Sequence, residues 1–159
     1  MYILSDDQIA DLIRESKPIP PGLCPLEKMS LRNHHKRRDF DIEAESRNNF
    51  AVAIRQSTLN MLDFSVILGY KLPGSFTVFR LRRYNGKSHH HTNTIEKEAF
   101  YDFHVHKATE RYQKLGFKEE HFAVRTSGYY DLESAIQCLL TDCGFRHPIE
   151  DSPLFTGRI

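Results

Sequence analysis

Four apolar residues near the start of the chain recur with a helical spacing: Leu4, Ile9, Leu12 and Ile13. Ser5 precedes most of this stripe and carries a side-chain oxygen that can accept hydrogen bonds from free backbone amides. The acidic pair 6–7 then lies where a helix dipole favours negative charge. The spacing predicts an amphipathic helix over residues 5–17, which the proline-rich segment 18–22 ends.

A second helical pattern lies near the other end of the chain and predicts a helix over residues 130–143. Asp131 or Ser127 can cap its start, and the pair 143–144 supplies a left-handed stop at Gly144. We expect the remaining residues, 148–159, to be irregular. The apolar stripe of this helix consists of Leu132, Ala135, Ile136, Leu139 and Leu140.

Between the helices the period changes to two, which is typical of half-buried strands. Lys107–Leu115 can also wind into a helix before Gly116, and the loop 85–98 is polar and rich in histidine. The five predicted strands cover residues 37–45, 50–55, 62–70, 76–84 and 100–108. The residues expected to face the core are Phe40, Ile42, Phe64, Val66, Phe79, Leu81, Phe103 and Val105.

Short turns between successive strands favour an antiparallel meander. We therefore predict an α+β fold, with a five-stranded, mostly antiparallel sheet that carries the N- and C-terminal helices on one face and water on the other. The chain of 159 residues has the usual size of one domain, so residues 1–159 are expected to form a single α+β domain.

Charge and cysteine content narrow the class of protein. The net charge is +1 with histidine neutral, so attraction to a nucleic acid would depend on a local patch. The three cysteines form no CxxC or Cys/His zinc spacing. No run approaches about 20 apolar residues, the length of a membrane span, and the acidic start lacks a signal-peptide core. The expectation is a cytoplasmic protein without a membrane partner.

The strongest candidate for chemistry lies in the fifth predicted strand. Alternation places Asp102, His104 and His106 on one face, with the two imidazoles about 7 Å apart along the strand. Such a pair can ligate a metal, bind a phosphate or share acid and base work. The alternative is that the three are ordinary polar residues on a solvated sheet face.

The preceding strand and loop offer binding residues. Arg80, Arg82 and Tyr84 share one side of their strand by alternation, and guanidinium groups match phosphate geometry. His90 lies at the centre of a three-histidine loop that can close a metal site or a substrate cleft. A solvated arginine row over acidic neighbours is the alternative. A basic cluster at residues 32–38 is a further phosphate candidate, or a solvated run beside a strand.

The run 82–85, the histidine loop and the later 104–106 motif resemble TumE-like toxins of bacterial toxin–antitoxin loci. The similarity covers residues 80–107. It implies RNA as the target and a neighbouring antitoxin as a protein partner. The N-terminal helix, the first strands and the C-terminal helix have no counterpart in that family pattern.

Three hypotheses follow from the sequence. The first is a toxin-like protein that cleaves RNA phosphodiesters, with His104 and His106 as acid and base or metal ligands, Asp102 as an orienting group, and arginines holding the phosphate. The second is a binding module for nucleic acid or protein without catalysis, for example in phage–host conflict or regulation. The third is an interaction domain whose histidines have no chemical role. The sequence identifies neither a cofactor nor a metal.

Overall fold

The computed structural model describes residues 2–147, and this part of the chain contains three helices and eleven strands. In chain order these are α1 (Asp6–Arg14), β1 (Lys17–Pro18), β2 (Ser30–Arg32), β3 (His35–Glu43), β4 (Asn49–Ser57), β5 (Phe64–Lys71), β6 (Val78–Asn85), β7 (His91–Asn93), β8 (Glu98–Phe100), β9 (His104–Lys107), α2 (Glu110–Lys114), β10 (Ala123–Arg125), α3 (Leu132–Asp142) and β11 (Phe145–Arg146).

Seven strands form one sheet in the order β10-β9-β6-β5-β4-β3-β2, and every pairing in it is antiparallel. The α+β class and the antiparallel sheet are therefore confirmed. Arg47 and Gly74 adopt the left-handed region, at φ 79° and 72°, in the short connections after β3 and β5. Two small pairs accompany the large sheet: β1 with β11, which is parallel, and β7 with β8.

One face of the large sheet, the core face, packs in a single hydrophobic cluster with α1 and α3. Burial of alternate apolar residues is the main favourable term that holds these layers together. Phe103 is only partly buried, while the other seven residues predicted to face the core are buried: Phe40, Ile42, Phe64, Val66, Phe79, Leu81 and Val105.

The ends of the two long helices follow from their capping residues. The Ser5 hydroxyl accepts from the backbone amide of Gln8, whose side chain accepts from the Ser5 backbone amide. Asp131 caps α3 in the same way with Ser134, and Gly144 ends it at φ 77°. The predicted helices are confirmed, although both are shorter than expected.

The predicted count of five strands in the sheet is wrong, because a short strand is added at each edge. Residues 30–32 pair with β3, and residues 123–125 pair with β9. Three residues are too few to give a visible alternation in sequence. The fifth predicted segment also divides, since β8 leaves the main sheet to pair with β7 and only β9 remains in it. The helical alternative for residues 107–115 is realised as α2.

A bulge in β6 changes which residues face the core. Leu68 of β5 pairs with Arg82, but the next β5 residue, Gly69, pairs with Arg80. Leu81 is therefore the extra residue. An extra residue reverses the two-residue alternation that holds elsewhere along a strand.

The opposite face of the sheet, here called the second face, is open at one end and covered at the other. The β7–β8 hairpin lies over β9 and β10, because the Asn93 side chain accepts from the backbone amide of Ala123 at 2.9 Å and donates to its carbonyl at 2.8 Å. The covered end contains most of the polar residues with candidate chemistry.

The predicted irregular tail, 148–159, lies outside the described residues. Within residues 2–147, no helix has the length and apolar content required to cross a bilayer.

Candidate functional site

His104 and His106 lie on the second face, as their spacing predicts, but they are not solvated. They are 0% and 9% exposed, respectively. The expectation of a wet sheet face is therefore wrong at this end, because the β7–β8 hairpin covers it. In register, His104 pairs with Asn85 and His106 pairs with Arg83.

Three further histidine rings, from two other segments of the chain, lie around these two histidines. The His104 and His106 ring centroids lie 4.9 Å apart, and His91 of β7 lies 5.6 Å from His104 and 4.8 Å from His106. His89 lies 6.2 Å from His104, and His121 lies 5.4 Å from His91. Strand β9 and two loops thus assemble five imidazoles that sequence spacing alone does not bring together.

Hydrogen bonds to the backbone fix which ring nitrogen of each buried histidine carries its proton. A carbonyl only accepts, so His104 Nδ1 donates to the Asp102 carbonyl at 2.7 Å, and His106 Nδ1 donates to the Glu120 carbonyl at 2.8 Å. In the neutral rings, Nε2 then carries a lone pair. For His104 this nitrogen lies 3.5 Å from the Asn85 amide nitrogen. Both residues therefore present a base at Nε2.

Glu120 is the second buried polar centre of the site. Its side chain is 1% exposed, and one carboxylate oxygen, Oε2, accepts a hydrogen bond from Arg83 and lies 3.7 Å from Arg80 Nε. The other oxygen, Oε1, and Arg83 Nε are both buried without a hydrogen-bond partner among residues 2–147. Because leaving such groups unpaired costs free energy, they mark a position where a ligand or water can be accommodated.

Burial and positive neighbours keep these histidines neutral. Burial lowers the pKa of His106 to about 3, and the charges of His104, Arg83 and His91 act in the same direction. Burial also lowers the pKa of His104 and of His91. Burial therefore holds these imidazoles in the neutral form, in which Nε2 has a lone pair, and it also makes them weaker bases than a solvated histidine.

The cluster opens into a cleft of about 230 Å³, here called the histidine cleft. His106 and Glu120 lie in its wall, whereas His104 lies behind it and does not line it. Basic side chains also line the cleft, namely Arg55, Arg83 and Lys118, with Asp63 as a further acid. The other lining histidines are His89, His91 and His121. The cleft therefore combines proton acceptors with cationic groups.

A metal centre does not emerge from this arrangement. Among residues 2–147, no group of three or more histidine, cysteine, aspartate or glutamate side chains is placed to hold a metal ion. The three thiols are free, and Cys143 is buried in the core.

The predicted binding residues Arg80, Arg82 and Tyr84 do not share a face, because of the bulge at residue 81. Arg82 and Tyr84 lie on the core face, where the Tyr84 hydroxyl donates to Asp142 at 2.8 Å. Arg80 lies on the second face beside Glu120 and is exposed. The prediction that all three residues share one face is thus wrong. Arg83, which the alternation assigns to the opposite side, is the arginine beside His106.

Asp102 and His90 also have positions that differ from the expectation. Asp102 does contact His104, but with its backbone carbonyl, while its carboxylate lies 3.9 Å from Lys87 Nζ. His90 packs against Tyr101 at 5.0 Å between ring centroids and is exposed; it is not a lining residue of the histidine cleft.

The sequence interpretation missed Arg83, Glu120, His91 and His121 as site residues. Arg83 required knowledge of the bulge, and Glu120 and His121 lie in a loop 14 or more residues after His106 that carries no motif. His91 lies in the polar, histidine-rich loop 85–98, next to His90. The clustering of nine histidines in the chain was the available signal.

Comparison with known proteins adds no relative: no protein-family model, no curated protein and no solved structure matches the chain.

Proposed function

We propose that the histidine cleft cleaves RNA by attack of a ribose 2′-hydroxyl on the adjacent phosphate. The observation that carries this proposal is the combination, in one cleft, of a neutral imidazole base at His106 with the cationic groups of Arg83 and Lys118. A base near a phosphate-binding cation is the minimum that this reaction needs from a protein.

The hydrogen-bond donors and acceptors that line the cleft match the 2′-hydroxyl and the phosphate oxygens of a ribonucleotide. A 2′-hydroxyl can donate to His106 Nε2 or to the unpartnered Glu120 Oε1. The phosphate oxygens can accept from Lys118, which is exposed at the cleft, and from Arg83. DNA lacks the 2′-hydroxyl, so the proposed reaction is specific for RNA.

In the proposed step, the 2′-oxygen forms a bond to phosphorus and the bond from phosphorus to the 5′-oxygen breaks. The proton of the 2′-hydroxyl passes to His106 Nε2, and a protonated histidine gives a proton to the departing 5′-oxygen. His89 is assigned this second role, because its ring lines the cleft and is exposed there, on the side open to the departing group. The products are a 2′,3′-cyclic phosphate and a 5′-hydroxyl.

His104 and Asp102 have supporting roles in this proposal. His104 lies behind the cleft and packs against His106, and the Asp102 carbonyl fixes the orientation of the His104 ring. The resemblance of residues 80–107 to TumE-like toxins is an independent reason to expect RNA as the target, and it adds an antitoxin as the proposed protein partner.

The test compares His106→Gln with His90→Ala, which removes an exposed histidine that does not line the cleft. On a single-stranded RNA, we expect His106→Gln to lower the cleavage rate by about 10²–10⁴-fold, the usual contribution of a general base. His90→Ala should leave the rate unchanged. Thermal unfolding of each variant checks that the fold persists, and chromatography of the products checks for the cyclic phosphate.

An otherwise identical RNA with one 2′-deoxyribose at the cleaved position should resist cleavage at that position. Cleavage that is insensitive to this change, or to His106→Gln in a folded protein, would contradict the proposal. Binding of RNA by the unmodified chain without any cleavage would instead favour the binding module, the alternative that does no chemistry.

A further inference from the structure

A row of polar residues crosses the second face of the sheet and passes over the histidine cleft. Because residues directly opposite each other on neighbouring strands point to the same face, the pairing register defines this row without reference to side-chain conformation. It takes one residue from each of the seven strands: Ser30, Arg37, Arg55, Ser65, Asn85, His104 and Arg125.

The length of the row exceeds what a single phosphate needs. Strands lie about 4.8 Å apart, so six intervals span roughly 29 Å, and the part from Asn85 to Arg37 spans roughly 14 Å. The cleft takes up the row from Asn85 through Ser65 to Arg55, and the open part of the second face lies beyond Arg55. A ligand held in the cleft therefore has a polar track to follow across the sheet.

Arg55 joins the histidine cleft to a second, larger hollow. It lines both, and the second hollow has a volume of about 550 Å³. Three further arginines line this hollow, Arg32, Arg37 and Arg38, against a single carboxylate, Asp39. The local excess of positive charge contrasts with a net charge of +1 for the whole chain.

The two carboxylates near this track do not neutralise it. Arg37 lies 3.1 Å from Asp39, but both side chains are more than half exposed, so their attraction is weak and screened. Arg55 lies 2.8 Å from Asp63 and uses one nitrogen, Nη2, for that contact. A guanidinium has five N–H donors, so donors remain for a phosphate.

We propose that single-stranded RNA continues from the histidine cleft along this row, with its phosphates on Arg55, Arg37 and Arg32. This inference rests on the proposed function and adds the size and form of its substrate. None of the seven row residues is phenylalanine, tyrosine or tryptophan, so base stacking along the row contributes little and the phosphates carry the binding. The track therefore favours long substrates with little sequence preference.

The first test measures kcat/KM on a ribodinucleotide and on an RNA oligonucleotide of roughly ten residues. The variant is Arg32→Ala with Arg37→Ala, and the matched control is Arg14→Ala, which removes an exposed arginine of α1. Loss of two phosphate contacts should lower kcat/KM for the oligonucleotide roughly tenfold and reduce the slope of log affinity against log salt by about 1.4. The dinucleotide, which does not reach these arginines, should be cleaved at an unchanged rate.

Two results separate failure of the track from failure of the proposed function. If the oligonucleotide and the dinucleotide are cleaved with equal kcat/KM, or if the double variant behaves as Arg14→Ala does, the track is rejected while cleavage stands. If neither substrate is cleaved, the proposed function is rejected. In that case the track is tested by measuring the affinity for the same RNA at several salt concentrations. The slope of log affinity against log salt must still be smaller in the double variant than in the unmodified chain, or the track is rejected as well.

Discussion

Two buried polar centres of this protein, Lys17 and Glu120, use their hydrogen-bonding capacity in opposite ways. Each side chain is 1% exposed. The Lys17 ammonium donates to four backbone carbonyls at 2.7–3.0 Å, those of Leu12, Ile13, Glu15 and Cys143. Glu120 has one oxygen paired with Arg83, and the other has no partner within the described part of the chain.

The difference indicates which centre serves the fold and which is available for a ligand. Lys17 satisfies carbonyls at the C-terminal ends of α1 and α3, where backbone acceptors lack partners within the helix and a cation is favoured by the dipole. Burial lowers the pKa of Lys17 to about 8, which still leaves it protonated at neutral pH. Its donors are all used, whereas the Glu120 centre retains acceptor capacity beside His106.

The substitution Lys17→Met is expected to have the largest effect, which is a loss of stability. The substitution keeps an apolar chain but leaves several buried carbonyls without a donor, so we expect the free energy of unfolding to fall by roughly 3 kcal/mol. Urea titration measures it. Lys28→Met, at an exposed lysine, is the control and should stay within about 0.5 kcal/mol of the unmodified protein. Equal stability of the two variants would show that the hydrogen bonds of Lys17 to the helix ends do not stabilise the fold.

A smaller loss of stability is expected from Glu120→Gln. The amide retains an acceptor for Arg83, and Arg83 is itself partly exposed, so we expect a cost of about 1–2 kcal/mol. The same substitution should alter RNA cleavage, because it changes the group beside His106, whereas Lys17→Met should leave cleavage intact at a temperature where the protein is folded. If Lys17→Met lowered cleavage by the folded protein and Glu120→Gln did not, the assignment of Lys17 to the fold and of Glu120 to the site would be contradicted.

The smallest expected effect is the response to mild acid. The folded-state pKa of His106 is about 3, below the ordinary value near 6.5, so the unfolded chain binds more protons between these values. Stability is therefore fully present above about pH 6.5 and is lost as the pH falls toward 3, by about 1 kcal/mol between pH 7 and 5.5.

Urea titrations of the unmodified chain and of His106→Gln across this range measure the effect. The variant should lose less stability on acidification, although His91 and His104, whose pKa values are also lowered, keep part of the slope. Parallel pH curves for the two proteins would show that His106 is already protonated or solvated in the folded state.

Sequence patterns correctly predict the elements that are long and locally patterned. The stripe of α1 with its Ser5 cap, the stripe of α3 with Asp131 and Gly144, and the alternation in β3–β5 all depend on residues close together in the chain. The sequence also identified the 104–106 motif and the face on which it lies. These features follow from local geometry, so a correct prediction needs no knowledge of distant contacts.

The tertiary structure decided what surrounds that motif. One inserted residue at position 81 reversed the sides of the β6 arginines, so Arg83 and not Arg82 meets Glu120 across 37 positions of sequence. Lys17 reaches Cys143 across 126 positions. The β7–β8 hairpin turned an expected wet face into a buried cluster with shifted pKa values. Such partners are selected by packing of segments far apart in the chain, and periodicity carries no information about which distant loop closes over which face.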